Sequence, residues 1–448
     1  MISPDTARDR ASRLVELAIR AGADAADAVA SGSASESVGV RLGVLEDVER
    51  SEDESIGIRV FVGKRSASVG GSDFSADGLH EMAERAVAMA RHAPEDPHAG
   101  LAPEDRLARG PFADFDLVDT AEPLPETLRD RALAVEEAAR SVTGVTNSNG
   151  ANAGSGRSIA ALATSTGFSA AYGATSHYLS ASMIAGEGAG MQRDHEARSA
   201  RHLEDLPPGE EIGRTAGERA VARLDPRELP GGAMPVVFDP RVGASLVGHL
   251  IGAMSGAAAA RRATFLLDRL DETLFAPAIR IVDDPHRARG MRSRPFDGEG
   301  LPTAPRALVE EGVVTGWLTN VASASQLGLD LTGHASRGGS GAPGISTSNV
   351  HLEAGTVTPR ELMADIADGV FVNELIGQGV NGVTGDYSRA AAGFRIRNGE
   401  LAEPVSGFTI AGNLLSMFAA LSAADDLEMY RSVNVPTLRV DGMTIAGS

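Results

Sequence analysis

The chain has 448 residues and a net charge of −20, from 61 acidic against 41 basic side chains. Its length is enough for two or three domains. The charge repels a nucleic-acid backbone, and no basic run offsets it. Cysteine is absent, which excludes disulfides and thiolate metal sites and fits a reducing, cytoplasmic setting.

The opening run MISPDTARDRASRLVELAIRAG is broken by charges every few residues, so it holds no apolar signal core. Within it, Ala11, Leu14, Val15, Ala18 and Ile19 fall at helical spacing and predict an amphipathic helix over residues 5–21. Strand-like alternation follows from Val38 and again from Ser55. A second helix is expected over residues 75–92 with Ser75 as its N-cap, then a Pro-rich surface loop from Ala93. A third helix starts near Pro125. Residues 143–202 turn to Ser, Thr, Gly and Ala with period-2 patches, which predicts a meander of antiparallel strands.

A further helix, EIGRTAGERAVARL, ends near Leu224, and DPRELPGG breaks the chain. A domain boundary is expected there, giving an amino-terminal domain over 1–228 and a carboxy-terminal one over 229–448. The second half holds one helix-like stretch, GASLVGHLIGAMSGAAAA at 243–260, and many short strands. That stretch is long enough for a membrane span. Its Gly, Ala and Ser content and the central His249 make it a buried helix of a soluble core instead. Gly248, Gly252 and Gly256 fall four apart and leave one side bare, suited to close packing or to facing a cavity or partner. Asn398–Gly399 between two strand-like runs signals a hairpin. The fold class is α+β: helices on an antiparallel sheet first, then a strand-rich, barrel-like domain.

Generic motifs carry little chemistry. Neither His80–Glu81 nor His195–Glu196, with its next histidine at His202, places two imidazoles and a carboxylate on one helix face. His286 beside Asp283 and Asp284 admits a hard cation or a capped turn. Gly377, Gly379 and Gly382 satisfy G-x-G-x-x-G, but VTGDYSRAAAG follows rather than a helix, so a tight glycine turn is expected there, not a nucleotide loop. Lys64 is the only lysine, which leaves Schiff-base chemistry a single and unpromising candidate.

From the 243–260 helix onward the sequence becomes recognisable. The segments VFDPRVGASLVGHLIGAMSGAAAARRATFL, FAPAIRIVDDPHRARGMRSRPFDGEG, LTGHASRGG, NELIGQGVNGVTGDYSRAAAGF, FTIAGNLLSMF and PTLRVDGMTIAG resemble the TldD/PmbA family, on its PmbA (TldE) branch. The resemblance implies a cytoplasmic metallopeptidase built from two related subunits. TldD members carry H-E-x-x-x-H on a central helix and a later cysteine as zinc ligands. The matching helix here holds only His249, with no glutamate, and the cysteine is missing. Zinc catalysis takes three protein ligands and an open position. The resemblance therefore implies a subunit without cofactor, with zinc in a TldD-like partner that does the hydrolysis. The implied substrates are leader peptides and short unfolded peptides, captured by strand addition.

An autonomous hydrolase is the alternative, with Asp386, Tyr387, Ser388 and Arg389 of TGDYSR, and His334 and Arg337 of GHASR, as candidate residues. A peptide-binding module without catalysis is the third possibility.

Overall fold

The computed structural model describes residues 2–270 and 272–447. The first half holds one antiparallel sheet of β1 (Ala25–Arg41), β2 (Val44–Val62), β3 (Arg65–Gly71), β4 (Val145–Thr164), β5 (Ser169–Ala185) and β6 (Gln192–Ala200). The strand order is β3-β2-β1-β4-β5-β6. Four helices accompany it: α1 (Pro4–Arg20), α2 (Ala76–His92), α3 (Pro125–Arg140) and α4 (Gly209–Ala222). Each was expected from the sequence, α1 from its spacing and α2 from its Ser75 cap. The Ser75 side chain accepts from Gly78 N–H at 3.1 Å, as an N-cap should.

β1 begins at Ala25, well before the alternation expected from Val38. Residues 25–37 are mostly Ala, Ser, Asp and Gly, so β-propensity is weak there. Pairing on both sides, to β2 and to β4, satisfies their backbone groups and makes the strand. All four helices lie on one face of this sheet. Ala26, Ala28, Ala30, Ile159, Ala161 and Ala163 pack under α1 and α2. Further along the same strands, Val38, Ala151 and Ala153 pack under α3 and α4.

The second half adds β7 (Gly232–Phe238), β8 (Ile281–Asp283), β9 (Arg306–Glu310), β10 (Val313–Val314), β11 (Ala335–Ser336), β12 (Gly344–Ile345) and β13 (Val350–Leu352). It ends with β14 (Asp368–Ile376), β15 (Asp386–Arg397), β16 (Glu400–Asn413), β17 (Leu421–Ala423), β18 (Val433–Asn434) and β19 (Leu438–Ala446). β16 pairs with β15 on one side and with β19 on the other, so β16-β15-β14-β7-β19 close into a five-stranded barrel. The β15–β16 hairpin turns at Asn398 and Gly399, both at positive φ, as the Asn-Gly signal requires. Helices α5 (Pro240–Ala253), α6 (Gly256–Ala260), α7 (Val321–Leu327), α8 (Pro359–Met363) and α9 (Leu414–Ala419) complete the chain. Among the described residues, no helix is long and apolar enough to cross a membrane.

The expected single helix over 243–260 is in fact two. The helix stops at Met254, and the next residues pair with the chain at Leu318. Leu318 N–H donates to Met254 C=O at 2.9 Å, and Gly256 N–H donates to Leu318 C=O at 2.7 Å. A Cβ at Gly256 would lie 2.8 Å from that carbonyl, so the close approach needs glycine.

The helix-free face of the first sheet meets the second half of the chain. Val29, Leu162 and Phe168 pack with Phe296 and Leu301 there. Beside them lies a buried charged group. Arg59 donates to Asp27 through Nε at 3.1 Å, Arg337 Nη2 sits 2.7 Å from Asp27, and Glu299 is 3.7 Å from Arg59. Burial pushes the Glu299 carboxyl up to about 7, against the pull of Arg59 and the Val321 N–H.

That shift sets a pH dependence. The folded chain holds the Glu299 proton up to about pH 7, whereas an unfolded one releases it near 4.3. The stabilisation is thus fully present below the unfolded value and is lost as pH rises to about 7, at a cost of up to roughly 3 kcal/mol. Glu299→Gln keeps an acceptor for Val321 N–H, which Glu299 Oε2 now takes at 2.8 Å. Urea midpoints of wild type should fall between pH 5 and 7 more steeply than those of the variant. Parallel profiles would show that Glu299 does not titrate as described.

Candidate functional site

The carboxy-terminal core forms around α5. Asp239 caps its start, accepting from Arg241 N–H at 2.8 Å, and Pro240 occupies the first helical turn. Arg241 then reaches back to the first half of the chain, donating to buried Asp194 of β6 at 2.8 Å. Arg223, the C-cap of α4, stands 3.5 Å from the same carboxylate. Desolvation opposes the charge on Asp194, but these guanidinium partners hold its pKa below the usual range. The helix is therefore pinned at its entry.

One stripe of α5, formed by Leu246, Val247, Leu250 and Ala253, packs into the barrel core with Phe238, Val372 and Tyr387. Gly248 and Gly252 lie on the opposite side and are exposed. A Cβ built on either would meet nothing within 4 Å. The bare side is thus an open shelf at these two positions, while Gly256 belongs to the tight Leu318 crossing.

His249 stands at the edge of this shelf. Its ring meets Tyr387 edge-on, with centroids 6.1 Å apart and planes at 78°. Tyr387 and Arg389 share one face of β15, because side chains alternate along a strand. Three atoms here are buried without a hydrogen-bond partner: His249 Nε2, Tyr387 Oη and Arg389 Nε. Burial lowers the His249 pKa, and the Arg389 charge lowers it further. Burial also pushes the Tyr387 phenol up to about 12, with the Arg389 guanidinium pulling the other way. The result is a neutral imidazole, a neutral phenol and one cation. Such a group can donate hydrogen bonds to an anionic or carbonyl oxygen. It holds no nucleophile with an adjacent base.

The other candidates sit elsewhere. Asp386 points to the opposite side of β15, where it accepts from Thr384 Oγ1 at 2.7 Å and Asn413 Nδ2 at 3.2 Å. These hydrogen bonds lower its pKa, and they close the turn that leads into the strand. Ser388 is exposed on that same side. His334 is buried against Asp283, with Nε2 3.2 Å from Oδ2, and Asp283 in turn takes the Ser348 N–H at 2.9 Å. Arg337 belongs to the Asp27 group. Asp284 caps the turn at His286, accepting its N–H at 2.9 Å. Gly377, Gly379 and Gly382 lie in the β14–β15 loop, and no helix follows them.

Two things escaped the sequence. His177 is fully buried with Nε2 3.2 Å from Asp119, which pins residues near 119 to β5; nothing in the alternation of Ser and Ala around it signals that. The partnership of His249 with Arg389 spans 140 positions of chain. The alternation in DYSRA could have put Tyr387 and Arg389 on one face, but not beside α5.

The PmbA/TldA metallopeptidase domain 1, central domain and C-terminal domain families match residues 26–90, 119–224 and 231–447. A metalloprotease PmbA of Escherichia coli O157:H7 is 35% identical over 95% of this chain and 92% of its own. A solved structure from Bacteroides thetaiotaomicron, described as a candidate modulator of DNA gyrase, is 26% identical with a TM-score of 0.91, covering all of both chains. TldE from Thermococcus kodakarensis is 21% identical with a TM-score of 0.87, over 98% of this chain and 100% of its own, a likeness of fold.

The family description implies a metal ion. Among the described residues, no three His, Cys, Asp or Glu side chains gather where they could hold one. At α5 the charged group acting on His249 is the Arg389 cation, which would repel a divalent ion. This donor set does not fit zinc.

Proposed function

Since the chain belongs to the PmbA/TldD metallopeptidase family, on its PmbA/TldE side, we propose that it is the subunit without metal in a two-subunit peptidase. In this reading a cytoplasmic TldD-like partner carries zinc and cuts peptides, and this chain supports or gates that site. The carrying observation is α5 itself, which offers one imidazole beside a guanidinium where hydrolysis would need three metal ligands. The open shelf at Gly248 and Gly252 supports a role in holding extended peptide.

A free strand edge supports association. β3 pairs with β2 only from Ile56 onward, so residues 44–55 have β1 on one side alone. Val44 there is 67% exposed, and Leu42, Leu45 and Val48 are exposed with it. Its apolar side chains alternate with Glu46, Asp47, Glu49 and Arg50, so the edge can pair with another chain only where that chain meets these charges.

Mixing the chain with its TldD-like counterpart should give a heteromeric complex by light scattering and faster cleavage of an unstructured peptide. The purified chain alone should hold almost no zinc by elemental analysis. Separate elution with unchanged cleavage would end the proposal, as would about one zinc per chain. Chelator-resistant cleavage by the isolated chain would instead favour the autonomous hydrolase.

A further inference from the structure

We propose that His249, Tyr387 and Arg389 form a receptor for the carboxylate at the end of a peptide lying along the Gly248–Gly252 shelf. This rests on the peptide-handling reading above and names the group recognised.

The inference starts from an unbalanced charge. Arg389 is half-buried, and no carboxylate among the described residues pairs with it, in contrast to Arg59, Arg241 and Arg337. A guanidinium withdrawn from water without a counter-ion is costly, so a site that keeps one is short of an anion. Beside it Tyr387 is 2% exposed, and its hydroxyl has no partner outside the Arg389 side chain itself. His249 Nε2 is likewise buried and unpartnered. Three polar atoms on two elements, none with a partner beyond the group itself, mark a place that a ligand or ordered water completes.

The chemistry of the three selects the ligand. A carboxylate takes hydrogen bonds from guanidinium, phenol and imidazole N–H together, and it supplies the missing negative charge. The phenol stays protonated and able to donate across ordinary pH, because burial raises its pKa to about 12. A metal cation or an amine would meet the Arg389 charge instead. The shelf explains why the carboxylate should belong to a peptide: with no Cβ at Gly248 or Gly252, a backbone can lie against the helix beside His249, whose ring leads in to Tyr387.

The test is titration of the full-length chain with a labelled, unstructured decapeptide in two forms, free acid and C-terminal amide, read by anisotropy. The free acid should bind at least tenfold tighter than the amide. Arg389→Gln should erase that ratio, and Tyr387→Phe should narrow it. Equal binding of acid and amide by the wild-type chain would overturn the proposal, and this arm needs no variant to fold. An unchanged ratio in Arg389→Gln would overturn it too. Acetate that binds as tightly as the peptide acid would overturn the peptide assignment in favour of a small-carboxylate site. Acid preference without association to the TldD-like subunit would sink the subunit reading and leave this site standing. Association without acid preference would do the reverse.

Discussion

Asp27→Ala should cost the fold about 3–5 kcal/mol, the range for breaking a buried ion pair from one side. Asp27 is 1% exposed and serves two guanidiniums. Arg59 approaches through Nε at 3.1 Å and Nη2 at 2.5 Å, and Arg337 through Nη2 at 2.7 Å. Removing the carboxylate leaves both cations buried with only the Glu299 carboxyl near them, 3.7 Å from Arg59 and protonated up to about pH 7. The loss would also loosen a junction, since Asp27 and Arg59 come from the first sheet while Glu299 and Arg337 come from the second half. Urea unfolding followed by circular dichroism would measure it. Asp27→Asn, which keeps an acceptor and loses the charge, should fall between. A loss under about 1 kcal/mol for Asp27→Ala would mean that water reaches the guanidiniums.

Phe418→Ala should cost about 3–5 kcal/mol as well, the usual toll for emptying a large aromatic site. Phe418 is 1% exposed in α9 and stacks on Phe275 with centroids 4.6 Å apart. Phe265 tilts against it at 6.3 Å. The consequence reaches the candidate site through the start of α9. Asn413, its N-cap, donates to Thr384 C=O at 2.9 Å, and Leu414 N–H donates to Gly385 C=O at 2.7 Å. Those bonds hold the loop that delivers Tyr387. Thermal unfolding should therefore shift down, and amide exchange over residues 379–386 should speed up by more than the global loss explains. Slower exchange there than in α9 itself would show the loop to be held independently.

The local elements were legible where their signals are local. Helix α1 follows from its spacing, α2 from its Ser75 cap and α3 from the Pro125 start, α4 was read as helix-like, and the β15–β16 hairpin follows from Asn398–Gly399. Residues 25–37 were not, because Ala, Ser and Gly carry no strand signal, and pairing on both sides makes the strand. The break after Met254 was hidden for a related reason: the residues around it favour helix, and the competing backbone at Leu318 is 64 positions away. At the candidate site, each of His249, Tyr387 and Arg389 was visible as a residue, alongside Asp386, His334 and Arg337, which turned out to lie elsewhere.

By itself, the sequence determined the order and type of most elements, the family resemblance, the lone histidine of the central helix and the absence of cysteine. Those properties are written in neighbouring residues, within a few turns or one strand pair. Tertiary structure alone decided the closure of the barrel through β16 and β19, the buried charges joining the two halves, and which polar groups are left without partners. Each of these depends on backbones and charges that meet across scores or hundreds of positions, and whether a buried group is satisfied is known only once everything around it is in place.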